Sequence, residues 1–368
     1  MLIVNSMTVY QAPQIQAKRI LVITMRYLGD TLLITPLLSA LKQAYPDAEI
    51  DVLLPVANLN MLEGNKDVNR LIPVQSKPSI LSFAKLLCSL YRQYDLSIST
   101  QGGDRPIICA LIAGKFSMGF VSASAKKQLW KRLFLDRAVE FTEQQAHMVM
   151  ENLRFCEALN IQPVYRVTPP RSTQSTRKIQ NLGKYVVLHP IPQWRYKQWH
   201  QVGWVKVANF LHEKGYQIVL TGSPDLHEQQ LIKKMLQNMP PATQNLAGSL
   251  KLSELTELIE SAAVFIGPDT GITHLAAATG VPTIALYGPT DPKKWAPWPK
   301  EYASNELPFQ SIGSQQKHNV SLIQGESIQG CVPCQLEGCE KNRQSHSSCL
   351  DELSAESVID ILNQWLQT

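Results

Sequence analysis

The chain predicts an α/β protein built as two doubly wound domains facing a cleft, and three observations carry that expectation. Its 368 residues exceed one ordinary domain. Short continuous apolar runs, the mark of buried parallel strands, alternate with stretches of helical spacing. The alternation stops at a stretch rich in Pro, Ser, Thr, Arg and Gln, from Gln162 to Asn181, and then begins again.

After a polar lead-in, Arg19 to Met25 reads as a strand, and Leu37, Leu38, Leu41 and Ala44 as the buried stripe of a helix. Strands at Ile50 to Leu54, Arg70 to Val74 and Leu96 to Thr100 alternate with helices near Ser79 to Tyr91 and Pro106 to Ala113. A helix carrying Met148, Leu153, Phe155, Cys156 and Leu159 ends near Asn160. The second half gives strands at Tyr185 to His189, Gln217 to Thr221, Val264 to Ile266 and Pro282 to Tyr287. Helices at Val202 to Lys214, Leu226 to Gln237, Leu252 to Ala262 and Ile272 to Thr279 are interleaved with them. A last helix, Ala355 to Leu366, has one apolar face to pack on a domain. The expected division is a lead-in over 1–17, a first domain over 18–165, a linker over 166–183, a second domain over 184–350 and a terminal helix over 351–368.

Hydrophobic residues make up 44% and charged residues 18%, which excludes a disordered chain or a coiled coil. Thirty-five basic against 30 acidic side chains is too small an excess for a dedicated nucleic-acid binder, yet it suits an anionic ligand or surface. No window approaches the ~18 uncharged apolar residues of a membrane span, so no transmembrane helix is expected. Residues 1–17 lack the pattern of a secretory signal, which places the chain in the cytoplasm and makes disulfides unexpected. Cys88, Cys109 and Cys156 read as buried small hydrophobes. Cys331, Cys334, Cys339 and Cys349 instead form C-x2-C-x4-C-x9-C, which could hold a structural zinc; packed free thiols or a labile disulfide are the alternatives.

Three stretches could carry chemistry. Met25 to Pro36 (MRYLGDTLLITP) lies where the first strand gives way to the first helix; Gly29 allows a tight turn and Asp30 places a carboxylate at the cleft, unless it is merely a helix cap. The turn holds one glycine, so neither a dinucleotide fingerprint nor a P-loop is present. Phe265 to Pro297 places Gly267, Asp269, Thr270 and Gly271 before a helix carrying His274, a helix start able to hold a phosphate on free N–H groups. Its other reading is a capped helix of any α/β protein. His189 to Trp204 sets Arg195 and Lys197 in a strand-to-helix loop, where two cations could neutralise a diphosphate leaving group. Trp194, Trp199 and Trp204 there read as packing residues. A fourth feature mixes Lys126, Lys127, Lys131, Arg132 and Arg137 with Leu129, Trp130, Leu133, Phe134 and Leu135, which fits an anionic membrane surface or a solvated helix face.

In this order and position, these stretches resemble glycosyltransferase family 9, the heptosyltransferases of lipopolysaccharide core assembly. MRYLGD (Met25 to Asp30) and GPDTGITHLAA (Gly267 to Ala277) carry the likeness, which extends from about Lys18 to the last helix. YPDAEIDVLL (Tyr45 to Leu54) and the cysteine-bearing tail are similar to the heptosyltransferase III type, which adds a branch heptose to an inner-core heptose. The resemblance implies the GT-B architecture, two Rossmann-like domains with the donor held mainly by the second. It implies an inverting transfer from ADP-L-glycero-D-manno-heptose to a lipid A-core acceptor, without catalytic metal or other cofactor, by an enzyme peripheral on the cytoplasmic face of the inner membrane. It makes Asp30 the general base, Lys197 the donor-phosphate contact with Arg195 beside it, and Asp269, Thr270, Gly271 and His274 part of the nucleotide-sugar site. The family's ribose-binding acid follows a strand-end glycine; here the loop reads Thr221, Gly222, Ser223, Pro224, Asp225, which displaces Asp225 from that role. Another nucleotide sugar or acceptor, or a catalytically silent nucleotide-sugar-binding protein, are the competing readings. A nicotinamide dehydrogenase is disfavoured by the missing glycine fingerprint.

Overall fold

Residues 15–122, 128–142, 146–172, 182–326 and 330–366 are described by the computed structural model. The first half contains β1 (Arg19–Ile23), α1 (Leu28–Leu33), α2 (Thr35–Ala44), β2 (Glu49–Pro55), β3 (Arg70–Val74), α3 (Ile80–Leu90), β4 (Tyr94–Ser99), α4 (Asp104–Ala113), β5 (Gly114–Ser122), α5 (Leu129–Phe134), β6 (Arg137–Phe141) and α6 (Met148–Leu159). Its six strands are all parallel, in the order β3-β2-β1-β4-β5-β6. From Ile20 to Ile23, β1 is wholly buried, as a central parallel strand covered on both faces must be. The helical stretch after it is two helices rather than one. The chain turns at Ile34 and restarts with Pro36 in the first turn of α2, where its missing N–H costs nothing.

The second half contains β7 (Tyr185–Leu188), α7 (Gln201–Glu213), β8 (Gln217–Leu220), α8 (Leu226–Leu236), β9 (Gln244–Asn245), α9 (Leu252–Glu260), β10 (Val264–Pro268), α10 (Gly271–Thr279), β11 (Thr283–Tyr287), α11 (Pro292–Trp295), β12 (Gln315–Lys317), β13 (Val320–Gln324), α12 (Ser348–Asp351) and α13 (Ala355–Leu366). The sheet order is β12-β13-β11-β10-β7-β8-β9, parallel except for the β12–β13 pair. Both sheets are therefore doubly wound, with a reversal of strand order between β1 and β4 in the first and between β7 and β10 in the second.

The two halves do more than face one another. One apolar cluster runs from Leu33 and Leu37 in the first half to Ile272, Leu275 and Trp298 in the second. Buried His147, capping α6, holds the Ala296 carbonyl across the junction at 2.7 Å. Its imidazole must act there as the donor, since a carbonyl can only accept. Burial pushes that imidazole down to about 3, so it stays neutral. Among the described residues no helix is long and apolar enough to cross a membrane.

Candidate active site

The reversal between β1 and β4 opens a small pocket at the carboxyl edge of the first sheet. Its polar lining is Thr24, just past β1, Thr100 and Gln101, just past β4, and Asp30 and Asn152 from α1 and α6. Such crevices are where open α/β sheets take ligands. The loop between β1 and α1 is tied down from two directions. The Met25 N–H donates to Gln101 Oε1 at 2.9 Å, and the Asn58 amide donates to Arg26 O at 3.0 Å and Thr31 Oγ1 at 2.9 Å. That loop in turn fixes Asp30, whose Oδ2 accepts the Tyr27 N–H at 3.2 Å and closes the first turn of α1. Asp30 is thus both a capping residue and a pocket residue. Burial pushes its carboxyl above the usual range, against the opposing pull of Arg26, the Tyr27 N–H and, from the other half of the chain, Lys197.

Lys197 ends a single 3₁₀ turn, Arg195–Lys197, beyond β7. Its ammonium pairs with Asp269 at 2.5 Å, and both side chains are largely buried. Asp269 follows β10, so the pair bridges the two strands that flank the second sheet's reversal. Burial opposes charge on Asp269, but Lys197, with Thr290 and His274 beside it, outweighs burial and holds the carboxyl below its ordinary range. Tyr287 offers its hydroxyl to Asp269 at 3.4 Å and to Trp295 O at 2.7 Å. Thr270 caps α10 by accepting the Thr273 N–H at 3.3 Å, which leaves the N–H groups at Gly271 and Ile272 outside the helical ladder. His274 is buried one turn on, with Nδ1 lacking a partner among the described residues; burial pushes its imidazole down to about 4.

The starts of α1 and α10 meet at two glycines. A Cβ on Gly271 would stand 3.0 Å from the Gly29 nitrogen, whereas one on Gly29 would meet only ordinary contacts at 3.5 Å or beyond, one of them His274. Beside them Tyr27 sets its ring edge-on to Trp194 at 5.1 Å, and Arg343 lies over Trp194 at 5.0 Å. The carboxyl edges of both sheets therefore converge on one place, with a carboxylate on one side and a cation and a helix start on the other.

The sequence-derived residues are not all placed there. Asp30, Gly29, Lys197, Asp269, Thr270, Gly271 and His274 are brought together. Arg195 is exposed and tied through its N–H to Arg343 O. Asp225 caps α8 by accepting the Glu228 N–H at 3.0 Å. Trp199 and Trp204 are core residues, while half-buried Trp194 belongs to the junction. The basic segment requires a correction. Lys126 and Lys127 lie outside the described residues; Lys131 is buried, paired with Asp104 at 2.7 Å and bonded to Gly102 O; Arg132 pairs with Glu140 at 2.7 Å; and Arg137 donates to Ala158 O. Those three described cations hold the fold, and α5 exposes Leu129, Leu133 and Phe134 instead. Cys331, Cys334, Cys339 and Cys349 form no disulfide, and Cys349 is buried and pushed up to about 12 by burial and by the other three nearby. Among the described residues no three metal-ligating side chains are gathered closely enough to hold an ion as they stand.

Gln101, Asn152, Tyr27, Tyr287 and Arg343 escaped the sequence reading. Gln101, Tyr27 and Tyr287 stand at or just past strand ends, which is a positional signal, whereas Asn152 and Arg343 come from distant segments that carry none.

The chain matches glycosyltransferase family 9 (heptosyltransferase) over residues 80–322 and belongs to that family. It is 31% identical over 329 residues to lipopolysaccharide heptosyltransferase 3 of Escherichia coli K12, covering 83% of this chain and 94% of that one. Among solved structures, a family 9 glycosyltransferase of Veillonella parvula superposes with a TM-score of 0.73 at 18% identity, over 97% of this chain and 99% of the other. The E. coli heptosyltransferase WaaC with ADP gives 0.70 at 21% identity, over 94% and 99%. The fold is GT-B, and the protein is a heptosyltransferase-class glycosyltransferase of lipopolysaccharide core synthesis.

Proposed function

We propose that the protein transfers heptose from ADP-L-glycero-D-manno-heptose to an inner-core sugar of lipopolysaccharide, with inversion, by direct displacement. The observation that carries this reading is the convergence of Asp30 and the Lys197–Asp269 pair from two opposed sheet edges, close enough for the charge of Lys197 to act on Asp30. Asp30 takes the proton from an acceptor hydroxyl as that oxygen attacks the anomeric carbon. Asp269 holds Lys197 toward the diphosphate, and the free N–H groups at the start of α10 meet the charge that grows as ADP departs. A neutral His274 beneath Gly29 adds no competing charge. Cations and backbone dipoles do the work of a divalent ion, so no metal enters the step. A zinc on the four cysteines would be structural and would require their sulfurs to close up.

The acceptor carries lipid A, which puts the enzyme at the cytoplasmic face of the inner membrane as a peripheral protein; the exposed Leu129, Leu133 and Phe134 of α5 support such a contact. The reading is tested by offering a panel of nucleotide sugars with a deacylated inner-core oligosaccharide in EDTA, and determining the anomeric configuration of any product. Inverted product from ADP-heptose alone is the expected outcome. Equal transfer from another nucleotide sugar would move the donor assignment, and donor binding without any product would favour a silent binding protein.

A further inference from the structure

Asn152 is the one amide on the buried face of α6, with 2% of its surface exposed, and it lines the pocket beside Asp30. Its side-chain nitrogen donates to Leu33 O at 3.0 Å. A backbone carbonyl can only accept, so that bond fixes the amide's orientation and leaves Oδ1 as the free atom. Among the described residues this oxygen has no partner. A buried carbonyl oxygen without a donor is a cost that native structures rarely carry, and it is relieved when a ligand or a water supplies the hydrogen.

The surroundings narrow the donor. Asp30 on the same pocket disfavours an anion, and the Leu33 and Met148 side chains in the wall suit the C–H face of a sugar rather than a hydrated cation. The pocket lies on the first sheet, opposite the helix start that faces the nucleotide. The chemistry these groups ask for is that of a polyol, with one hydroxyl on Asp30 and a second donating to Asn152.

We propose that Asn152 Oδ1 is a specificity-determining group for the acceptor, receiving a hydrogen bond from a hydroxyl that neighbours the one Asp30 deprotonates. The proposal rests on the reading of Asp30 as the base. Its test uses ADP-heptose with a soluble, deacylated inner-core oligosaccharide and a set of that acceptor's mono-deoxy analogues, on the wild-type chain and on Asn152→Ala and Asn152→Ser. Wild type should lose roughly 10-fold or more in kcat/KM on one analogue that still reacts. Asn152→Ala should show that same loss on the parent acceptor, as a raised acceptor KM, and no further loss on that analogue, while its donor KM stays unchanged. An equal further loss on every analogue, or an unchanged acceptor KM, would reduce Asn152 to a packing or water-binding residue. Should neither variant fold, the wild-type chain decides alone: if no analogue that still reacts loses about 10-fold, the proposal fails. Wild type that transfers to no acceptor at all would overturn the transferase reading instead, which keeps the two failures distinct.

Discussion

Asp30 carries two opposed demands. To act as the proposed base it must be ionised, yet burial raises its pKa, so it stays protonated to higher pH than an exposed carboxylate at about 3.9. The acid limb of kcat/KM should therefore fall above that value, and Arg26→Ala, which removes a cation that pulls the pKa down, should move the limb further up; a limb unmoved by Arg26→Ala would mean another group titrates. Lys197 and Asp269 are coupled differently. Lys197→Ala strands a buried carboxylate, a change that costs about 3–5 kcal/mol in comparable pairs, so ADP binding and thermal stability should fall together. The double change Lys197→Met with Asp269→Leu should restore much of the stability and none of the ADP binding, as calorimetry and a melting curve would report. Recovery of ADP binding in the double variant would separate the pair from the donor site.

At the scale of elements, the contact between α1 and α10 makes an asymmetric prediction. Gly271→Ala forces its new methyl to within 3.0 Å of the Gly29 backbone nitrogen, so it should spread the two helix starts and raise the donor KM several-fold. Gly29→Ala meets nothing closer than 3.5 Å and should be far milder. Equal effects would mean that the two starts do not meet in solution. The central strands of both sheets were legible in the sequence because they are continuous apolar runs, as in RILVI of β1 and TIALY of β11. β5, β6 and β13 were not legible in the same way, since GKFSMGFVS, RAVEF and VSLIQ interleave polar or small residues with apolar ones. Asn160 at φ 56° and Gly215 at φ 82° ended α6 and α7 where expected, because those left-handed positions favour such residues. Lys131 misled for a physical reason: spacing reports which residues share a face but not whether that face has a carboxylate such as Asp104 opposite it.

At the scale of the molecule, three buried histidines make stability depend on pH. His147 is pushed down to about 3, and His189 and His274 to about 4, all by burial first. An unfolded histidine titrates near 6.5, so below that pH the unfolded chain binds protons that the folded chain refuses. Stability is therefore full above about 6.5 and should drop as pH falls toward 4, by up to about 1.4 kcal/mol per pH unit for each histidine. Asp30 and Glu151, raised by burial, take up protons in the folded state and blunt that slope. Denaturant midpoints that stay flat from pH 7 to 5 would contradict it. The site was legible where it lies on one strand-to-helix loop, as at Met25 to Asp30 and Gly267 to His274. It was not legible where α6 or the Arg343 loop folds back onto it, because no local pattern encodes a contact between Trp194 and Arg343. The most direct measurement of the whole account is mass spectrometry of the oligosaccharide after incubation with ADP-heptose in EDTA, wild type beside Asp30→Asn. Wild type should add the mass of one heptose residue, and Asp30→Asn should do so about 100-fold or more slowly while binding ADP-heptose as tightly. Equal rates for the two proteins, or a product that forms only when magnesium is restored, would contradict the mechanism.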